Sequence, residues 1–194
     1  IMPLPCVQPP PMIRLEDYQG KFQKIVGLLG GKLERKTVHA PHYKPGAVLC
    51  TLEPKDKLIL FVHDSIDPSS FLVAGFNAGI GQAKDTDPRY GQGAEGYGKR
   101  FGASYAGRTT SWFFKDFAYP SLFLEDPRYY RLQHGSAGKR IVHALGHVVV
   151  AYKENGRRMF NYSEWLGTTS GVLVSNTYHP DYKRGFTPAA RRIG

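Results

Sequence analysis

Two histidines, His143 and His147, have the residue type and spacing that metal or cofactor chemistry needs. They lie four residues apart in KRIVHALGHVVVAYK, so a helix would place both imidazoles on one face. No Glu or Asp lies between them, so the metalloprotease motif HExxH is absent. Two interpretations stay open: the pair binds a metal ion or a cofactor, or both side chains make ordinary hydrogen bonds in a partly buried position. We predict no cofactor and keep the histidine pair as the alternative.

Two other polar clusters have a structural explanation. His39 and His42 form a second histidine pair within HAPHY, which nearby prolines place in a loop. Glu125 and Asp126 are adjacent carboxylates that can resemble acid/base machinery, but adjacent side chains rarely face one pocket. Asp126 comes directly before Pro127, which is typical of a helix N-cap followed by proline at the first helical position. We therefore expect neither cluster to be catalytic.

The glycine-rich segment GQGAEGYGKR resembles a phosphate-binding loop only weakly. Gly91, Gly93 and Gly96 match GxGxxG, but no predicted strand precedes them and the pattern GxxxxGK[ST] is absent. No serine lies in a GxSxG context, and neither cysteine has a nearby histidine. The sequence therefore does not indicate an enzyme, although a site assembled from distant residues leaves no local signature.

Small residues recur at every fourth position in three segments, and this spacing predicts helices that pack closely. In a helix such residues line one stripe, over which another helix can come nearer than the usual distance of about 8 to 10 Å between axes. The predicted stripes are Gly75, Gly79 and Ala83; Ala94, Gly98, Gly102 and Ala106; and Gly167, Gly171 and Ser175. We expect the second stripe, in AEGYGKRFGASYA, to be the element around which the chain is organised.

Three longer motifs carry a resemblance to a known family. They are DPRYGQGAEGYGKRFGASYA, FAYPSLFLEDPRYYRLQHGS and NYSEWLGTTSGVLVSNTYHP, and the similarity extends from about Lys55 to Gly185. In these motifs the chain resembles a family of uncharacterised, glycine-rich bacterial envelope proteins of the acidobacterial type. The resemblance implies an envelope location, and it brings no assigned activity and no catalytic residues. It also implies a further glycine-bearing helical stretch beyond Gly194.

The chain is basic, with 26 Lys and Arg against 16 Asp and Glu and a net charge of +10. This charge favours anionic partners such as lipid headgroups, nucleic acid or an acidic protein subunit. The basic residues are spread along the sequence, so we predict no nucleic-acid partner. Candidate contacts to anionic headgroups are Lys99, Arg100, Lys139, Arg140, Arg157 and Arg158. The alternative for these six is an ordinary solvated surface.

Two cysteines, Cys6 and Cys50, show no CxxC or metal-ligand spacing. In an oxidising envelope compartment they can form one disulfide that ties the N-terminal segment to the residues before Thr51. Two free thiols are the alternative. A lipidated Cys6 is a third interpretation, but the small residues usual before such a cysteine are absent.

No run of about 18 apolar residues is present, so an ordinary membrane-spanning helix is not predicted. Shorter apolar segments at 71–80, 141–152 and 172–174 suit a membrane interface, partial insertion or a soluble core. The chain opens with Ile1, which fits removal of an N-terminal signal, and an arbitrary start fits equally well. We expect a bacterial envelope location, at the membrane or on its periplasmic face.

These patterns predict a mainly α-helical fold, a single compact domain of about five helices. Residues 1–54 are expected to be an irregular, proline-rich arm with loops, and residues 55–194 the glycine-zipper helical domain. The arm lies either across its own domain or against a neighbouring subunit. Predicted helix starts are Asp67–Pro68, Asp87–Pro88, Gly93, Asp126–Pro127, about Ala137, and Asn161 or Ser163; the Gly93 helix ends near Tyr105 and the Ala137 helix near Lys153.

We expect a non-catalytic structural or accessory subunit of a membrane-associated envelope assembly. It would pack with other subunits or with copies of itself through glycine-zipper helices, against an anionic membrane surface. The alternative is a membrane-surface enzyme or cofactor-binding subunit. That protein would use His143 and His147 with residues from elsewhere, such as His134 or Asp126.

Overall fold

The computed structural model describes residues 6, 8–39, 50–132 and 134–177, and the fold is mainly α-helical, as predicted. Within these ranges the α-helices are α1 (Gln23–Leu29), α2 (Gly31–Lys36), α3 (Pro54–Ser65), α4 (Pro68–Ala83), α5 (Gly93–Trp112), α6 (Tyr119–Phe123), α7 (Ala137–Gly146) and α8 (Tyr162–Ser175). The short strands described are β1 (Thr37–His39), β2 (Glu125–Asp126), β3 (Tyr129–Arg131), β4 (Val150–Lys153) and β5 (Arg158–Phe160). The segment expected to be an irregular arm thus contains α1, α2 and β1.

A long helical run forms the centre of the molecule. α5 continues through a π-helical segment, Phe113–Ala118, into α6, so the run covers residues 93–123. The predicted end near Tyr105 is therefore wrong. Pro120 lies in the first turn of α6, where the preceding π-helical turn has already shifted the hydrogen-bond pattern, so the missing N–H is tolerated.

Two helix starts follow the predicted capping chemistry. The Asp67 carboxylate accepts the N–H of Ser69 at 3.0 Å at the start of α4. The Asn161 side chain accepts the N–H of Glu164 at 2.9 Å at the start of α8. Both bonds satisfy a backbone donor that the first helical turn leaves without an acceptor. At Asp87–Pro88 only a short 3₁₀ turn forms, without a side-chain cap.

Two predicted helix boundaries are wrong because a small sheet replaces them. Asp126 lies in β2, which pairs with β4, instead of capping a helix. α7 ends at Gly146, and the residues expected to continue it, Val150–Lys153, form the central strand of the order β2-β4-β5. Three consecutive valines at 148–150 explain the change, since β-branched side chains favour a strand over a helix.

The described part of the N-terminal segment lies against its own chain. β1 pairs in parallel with β3, with Val38 opposite Tyr130, and Pro11 forms a β-bridge with Val38. Cys6 and Cys50 are joined by a disulfide across 44 positions of the chain. Strand pairing and a covalent link therefore both attach this segment to the helical body.

Polar residues fill much of the interior of the described chain, whereas many large apolar side chains lie on its surface. On α3, Lys57 and Asp64 are both 0% exposed. Leu58 and Val62 of the same helix are exposed, and Phe76 on α4 is 69% exposed. Fully buried charges and many exposed large apolar side chains are two departures from the residue distribution usual in proteins whose whole surface contacts water.

No single helix among the described residues has both the length and the apolar composition required to cross a membrane. α3 and α4 meet the requirement only as a pair, bent by 49°. The bend falls at Ile66 and Asp67, which separate the two helices.

The stripe of small residues on α8 permits a close helix contact. Gly167 and Gly171 are buried against the central helical run. A Cβ at Gly171 would lie 3.0 Å from the Cα of Ser111, and a Cβ at Gly167 would lie 3.2 Å from the Cα of Lys115. A side chain at either position would force the two backbones apart.

Most positions of the other two stripes face outward. A Cβ at Gly79, Gly98 or Gly102 would meet no atom within 4 Å. A Cβ at Gly75 would lie against α5, 3.1 Å from the Tyr97 hydroxyl and 4.0 Å from the Phe101 ring. The same outward stripes include Ala83 and Ala94, which are exposed, and Ala106, which is half-buried. The second stripe is therefore not the internal packing surface of the chain, contrary to the expectation from its glycines.

Candidate functional site

Three carboxylates and two cations form a buried charge network between α2, α3 and the π-helical segment. Asp64 accepts Arg35 Nε at 3.0 Å and pairs with Lys36 Nζ at 3.0 Å. Arg35 also reaches Asp67 at 2.8 Å, and Lys36 reaches Asp116 at 2.5 Å. Two adjacent residues at the end of α2 thus hold together α3, the start of α4 and the π-helical segment.

The protonation of this network follows from burial and charge. Burial by itself would lower the pKa of Lys36, but the charges of Asp116 and Asp64 outweigh it, so the pKa is raised and Lys36 stays protonated. Burial raises the pKa of Asp116, and the charge of Lys36 offsets this only in part. The like charge of Asp64 adds to the effect of burial and raises the pKa of Asp116 further.

Two cations contact the Trp112 indole. Lys32 Nζ lies 3.1 Å from the ring centroid and the Arg108 guanidinium carbon lies 4.8 Å from it. Burial, followed by the charge of Lys36, lowers the pKa of Lys32 to about 8. Burial also lowers the pKa of Arg108. Neither Lys32 nor Arg108 has a described carboxylate within 4 Å, so both are cations without an ion-pair partner in the part of the chain that the structure describes.

A cavity of about 600 Å³ lies between α4, α5 and α8. Its lining includes Arg100, Arg108 and Lys115. Arg100, predicted to contact lipid headgroups, is only 4% exposed; it donates to the carbonyl of Gly91 at 2.6 Å and pairs with Asp85 at 3.1 Å. The surface role predicted for Arg100 is therefore wrong, because its guanidinium is used inside the fold.

A second, smaller cavity of about 300 Å³ contains the titratable groups best suited to proton chemistry. Burial raises the pKa of Glu125, although the N–H of Ser163 donates to its carboxylate at 3.4 Å. Burial, and then the neighbouring His143, lowers the pKa of His147 to about 4. A carboxyl group that holds its proton more tightly and an imidazole that stays neutral are the forms required of a general acid and a general base. Trp112 and Lys115 line both this cavity and the larger one.

The structure brings the two predicted histidines together. The His143 and His147 ring centroids are 5.1 Å apart, and the His147 ring also lies 4.7 Å from that of Tyr129. His143 Nε2 is 2.8 Å from the carbonyl oxygen of Tyr130, so one of its nitrogens is already hydrogen-bonded. His147 Nε2 is buried without a hydrogen-bond partner in the described chain.

The other residues considered with the histidine pair do not complete a metal site. Asp126 lines the same cavity as His147, but its oxygens accept bonds from Arg128 and Tyr130 at 2.7 Å each. His39 lies in β1, and its predicted partner His42 falls outside the described residues. The described ranges hold no group of three or more His, Cys, Asp or Glu side chains placed to bind one metal ion.

The remaining basic residues of the predicted headgroup contacts lie at the surface. Lys99 pairs with Glu95 at 2.6 Å, and both side chains are exposed. Lys139 and Arg140 are exposed in the first turn of α7. Exposed positions in the β4–β5 hairpin are Arg157 and Arg158. These five positions differ from Arg100, which is buried.

The charged interior is the part of the site that sequence reasoning missed. Lys57 and Asp64 are seven residues apart, so two helical turns place both on one face of α3. That spacing is a usable signal for a polar face. Their partners, however, come from remote positions: Glu154 for Lys57, and Arg35 and Lys36 for Asp64.

Comparisons with known proteins leave the family unassigned. No protein-family model, no curated protein and no solved structure shows significant similarity to the chain. The resemblance to glycine-rich envelope proteins therefore stays a prediction that rests on the three motifs.

Proposed function

We propose that the protein is a non-catalytic structural or accessory subunit of a membrane-associated assembly in the bacterial envelope. The observation that carries this proposal is the reversed polarity of the fold, with paired charges inside and large apolar side chains outside. In a hydrocarbon environment, charged groups are tolerated only where they face the protein interior and pair with one another. The network around Asp64 has this arrangement.

The exposed apolar side chains are too numerous to be the isolated apolar residues that are normal on a protein surface. Phe76 alone is 69% exposed. A whole phenylalanine side chain has an area of about 200 Å², so moving the exposed part of Phe76 from water to an apolar phase is favourable by about 3 kcal/mol. Exposed apolar residues also occur on α1, α3, α7 and α8, so they are not confined to one patch. A surrounding acyl phase covers several faces at once, which supports a membrane rather than one docked protein.

Helix α7 has the character of an interfacial membrane helix. Ile141, Val142 and Leu145 are 60%, 70% and 65% exposed on one side of it. Lys139 and Arg140 in its first turn are exposed and can reach anionic headgroups. A short helix with an exposed apolar face and basic residues at one end binds a membrane surface parallel to its plane.

Vesicle flotation tests the proposal. The protein should float with vesicles that contain phosphatidylglycerol, and less with neutral vesicles, because the basic residues add electrostatic attraction. Val142→Glu should reduce flotation on both, since it places a charge on the apolar face of α7. Thr51→Glu, an exposed position outside that face, is the matched control and should float like the wild type. Absence of flotation on both vesicle types at low and high salt would contradict membrane association.

A second candidate is a membrane-surface enzyme or cofactor-binding subunit that uses His143 and His147. The observation that favours it is the cavity in which Glu125 and His147 have pKa values shifted in opposite directions. Metal analysis and an absorption spectrum of the protein isolated from its native membrane test it. A stoichiometric metal or pigment that is lost in His143→Ala or His147→Ala would support the second candidate; its absence from the wild-type protein would count against it.

A further inference from the structure

The cavity of about 600 Å³ between α4, α5 and α8 has no part in the structural role proposed above. One face of α5 lines it with Ser104, Arg108 and Ser111. These residues are spaced by four and three positions, so their side chains lie on the same side of the helix. The cavity wall thus presents a hydroxyl group, a guanidinium and a second hydroxyl group in a row.

Arg108 is the unusual member of this row. Its Nε–H is buried and has no acceptor among the described residues. The other two cations that line the cavity, Arg100 and Lys115, are paired with carboxylates. A partly buried guanidinium without a counter-charge is unfavourable, and nothing in the described chain compensates Arg108 except the face of Trp112.

The cations without an ion-pair partner point to an anion. Because Arg100 and Lys115 are paired with Asp85 and Glu164, the unpaired positive charge in the described lining is that of Arg108. Lys32, which also has no described ion-pair partner, adds a further cation over the same Trp112 ring. A guanidinium with neighbouring hydroxyl groups matches a phosphate group, whose oxygens accept several hydrogen bonds from different directions.

We propose that this cavity binds a ligand with a phosphate group, which accepts hydrogen bonds from Arg108 and from the hydroxyl groups of Ser104 and Ser111. The volume leaves room for more than the phosphate itself. Two sources share this chemistry: the headgroup of an anionic phospholipid, and a free phosphate or water-soluble phosphate ester.

Calorimetric titration of the full chain in neutral detergent, at constant ionic strength, tests the proposal. The probes are inorganic phosphate and, separately, a short-chain phosphatidylglycerol. At least one probe should bind the wild type, and Arg108→Gln should bind that probe about tenfold more weakly, because a charged hydrogen-bond donor is lost. Binding of phosphate identifies a free anion, whereas binding of the lipid alone identifies a headgroup site. Arg14→Gln, at an exposed position outside both the cavity lining and the predicted headgroup contacts, should bind like the wild type.

The proposal is overturned if neither probe binds the wild type, or if Arg108→Gln binds as tightly as the wild type. Without ligand, Arg108→Gln should be at least as stable as the wild type, since it removes a cation that has no carboxylate partner. If Arg108→Gln does not fold, the ligand affinity of Ser104→Ala provides the test. This variant keeps Arg108 and removes one hydroxyl donor, so affinity should fall about threefold, and an unchanged affinity would again overturn the proposal.

Discussion

Lys57 and Glu154 form an ion pair across 97 positions of the chain, with Lys57 Nζ 2.6 Å from Glu154 Oε1. Lys57 is fully buried, and its ammonium group also donates to the carbonyl of Pro120 at 3.0 Å. This one lysine therefore connects α3 to α6 and to the turn after β4. A buried charge is stable only with such partners.

Loss of Glu154 should cost more stability than loss of Lys57. Glu154→Ala leaves the Lys57 ammonium buried with one carbonyl acceptor, and we expect the free energy of unfolding to fall by about 3 kcal/mol. Lys57→Met keeps most of the side-chain volume and leaves a carboxylate that is 22% exposed and can be hydrated, so the loss should be about 1 kcal/mol. Denaturant titration of both variants in one detergent measures the difference, and a larger loss in Lys57→Met would contradict it.

Local signals in the sequence predict the helices better than they predict what the helices bury. Asp67 and Asn161 cap α4 and α8 through bonds to residues two and three positions later, and such short-range chemistry is visible in the sequence. The helical fold class follows from the same kind of pattern. Partners at long range are not visible, which is why Arg100 is expected at the surface although it pairs with Asp85 inside.

Local sequence patterns also cannot predict which face of each helix points to the protein interior. Leu58 and Val62 have the spacing of a core-facing stripe, yet they are exposed, and a different face of the helix carries the buried Lys57. Periodicity shows that a helix has two different faces but not which one meets the interior, because that depends on the surrounding solvent. The prediction that α7 extends to about Lys153 is wrong for a related reason. The apolar pattern of α7 continues into β4, where β-sheet pairing replaces the helix.

The disulfide should contribute substantially to stability. Cys6 and Cys50 close a loop across 44 positions, and the loss of chain entropy in the unfolded state predicts about 4 kcal/mol for a loop of this length. Cys6→Ser with Cys50→Ser should therefore lower the free energy of unfolding by up to that amount. Unfolding of the wild type should respond to a reducing agent, while unfolding of the double variant should not. Equal stability of the oxidised and reduced wild type would contradict the prediction.

His147 should make stability depend on mildly acidic pH. Its pKa is about 4 in the folded protein and 6.5 for an ordinary histidine. Between these values the unfolded chain binds a proton that the folded chain does not, so stability falls as the pH is lowered from 6.5 to 4 and is fully present above 6.5. His147→Gln cannot titrate and should reduce this slope, whereas His134→Gln, at an exposed position, should keep it. An unchanged slope in His147→Gln would contradict the burial of this imidazole.

The two best-defined glycine stripes should respond differently to a bulky side chain. Gly171→Leu should lower the free energy of unfolding, by at least about 1 to 3 kcal/mol, because the new Cβ would lie 3.0 Å from the Cα of Ser111. Gly98→Leu should leave folding intact or stabilise it slightly, since its Cβ meets no atom within 4 Å and leucine is a better helix former than glycine. Thermal unfolding of both variants in one detergent measures the contrast, and equal destabilisation would contradict it.

The same variants separate folding from assembly. If the outward stripe on α5 contacts another subunit, Gly98→Leu or Gly102→Leu should increase the monomer fraction in crosslinking and native mass spectrometry, because a bulky side chain in the stripe holds the partner helix away. Gly138→Leu on α7 is the matched control: its Cβ also meets no atom within 4 Å, and it lies outside every predicted stripe. Assembly that persists in both α5 variants would contradict a subunit contact through this stripe. Assembly lost equally in Gly138→Leu would show that added bulk, and not the stripe, is responsible.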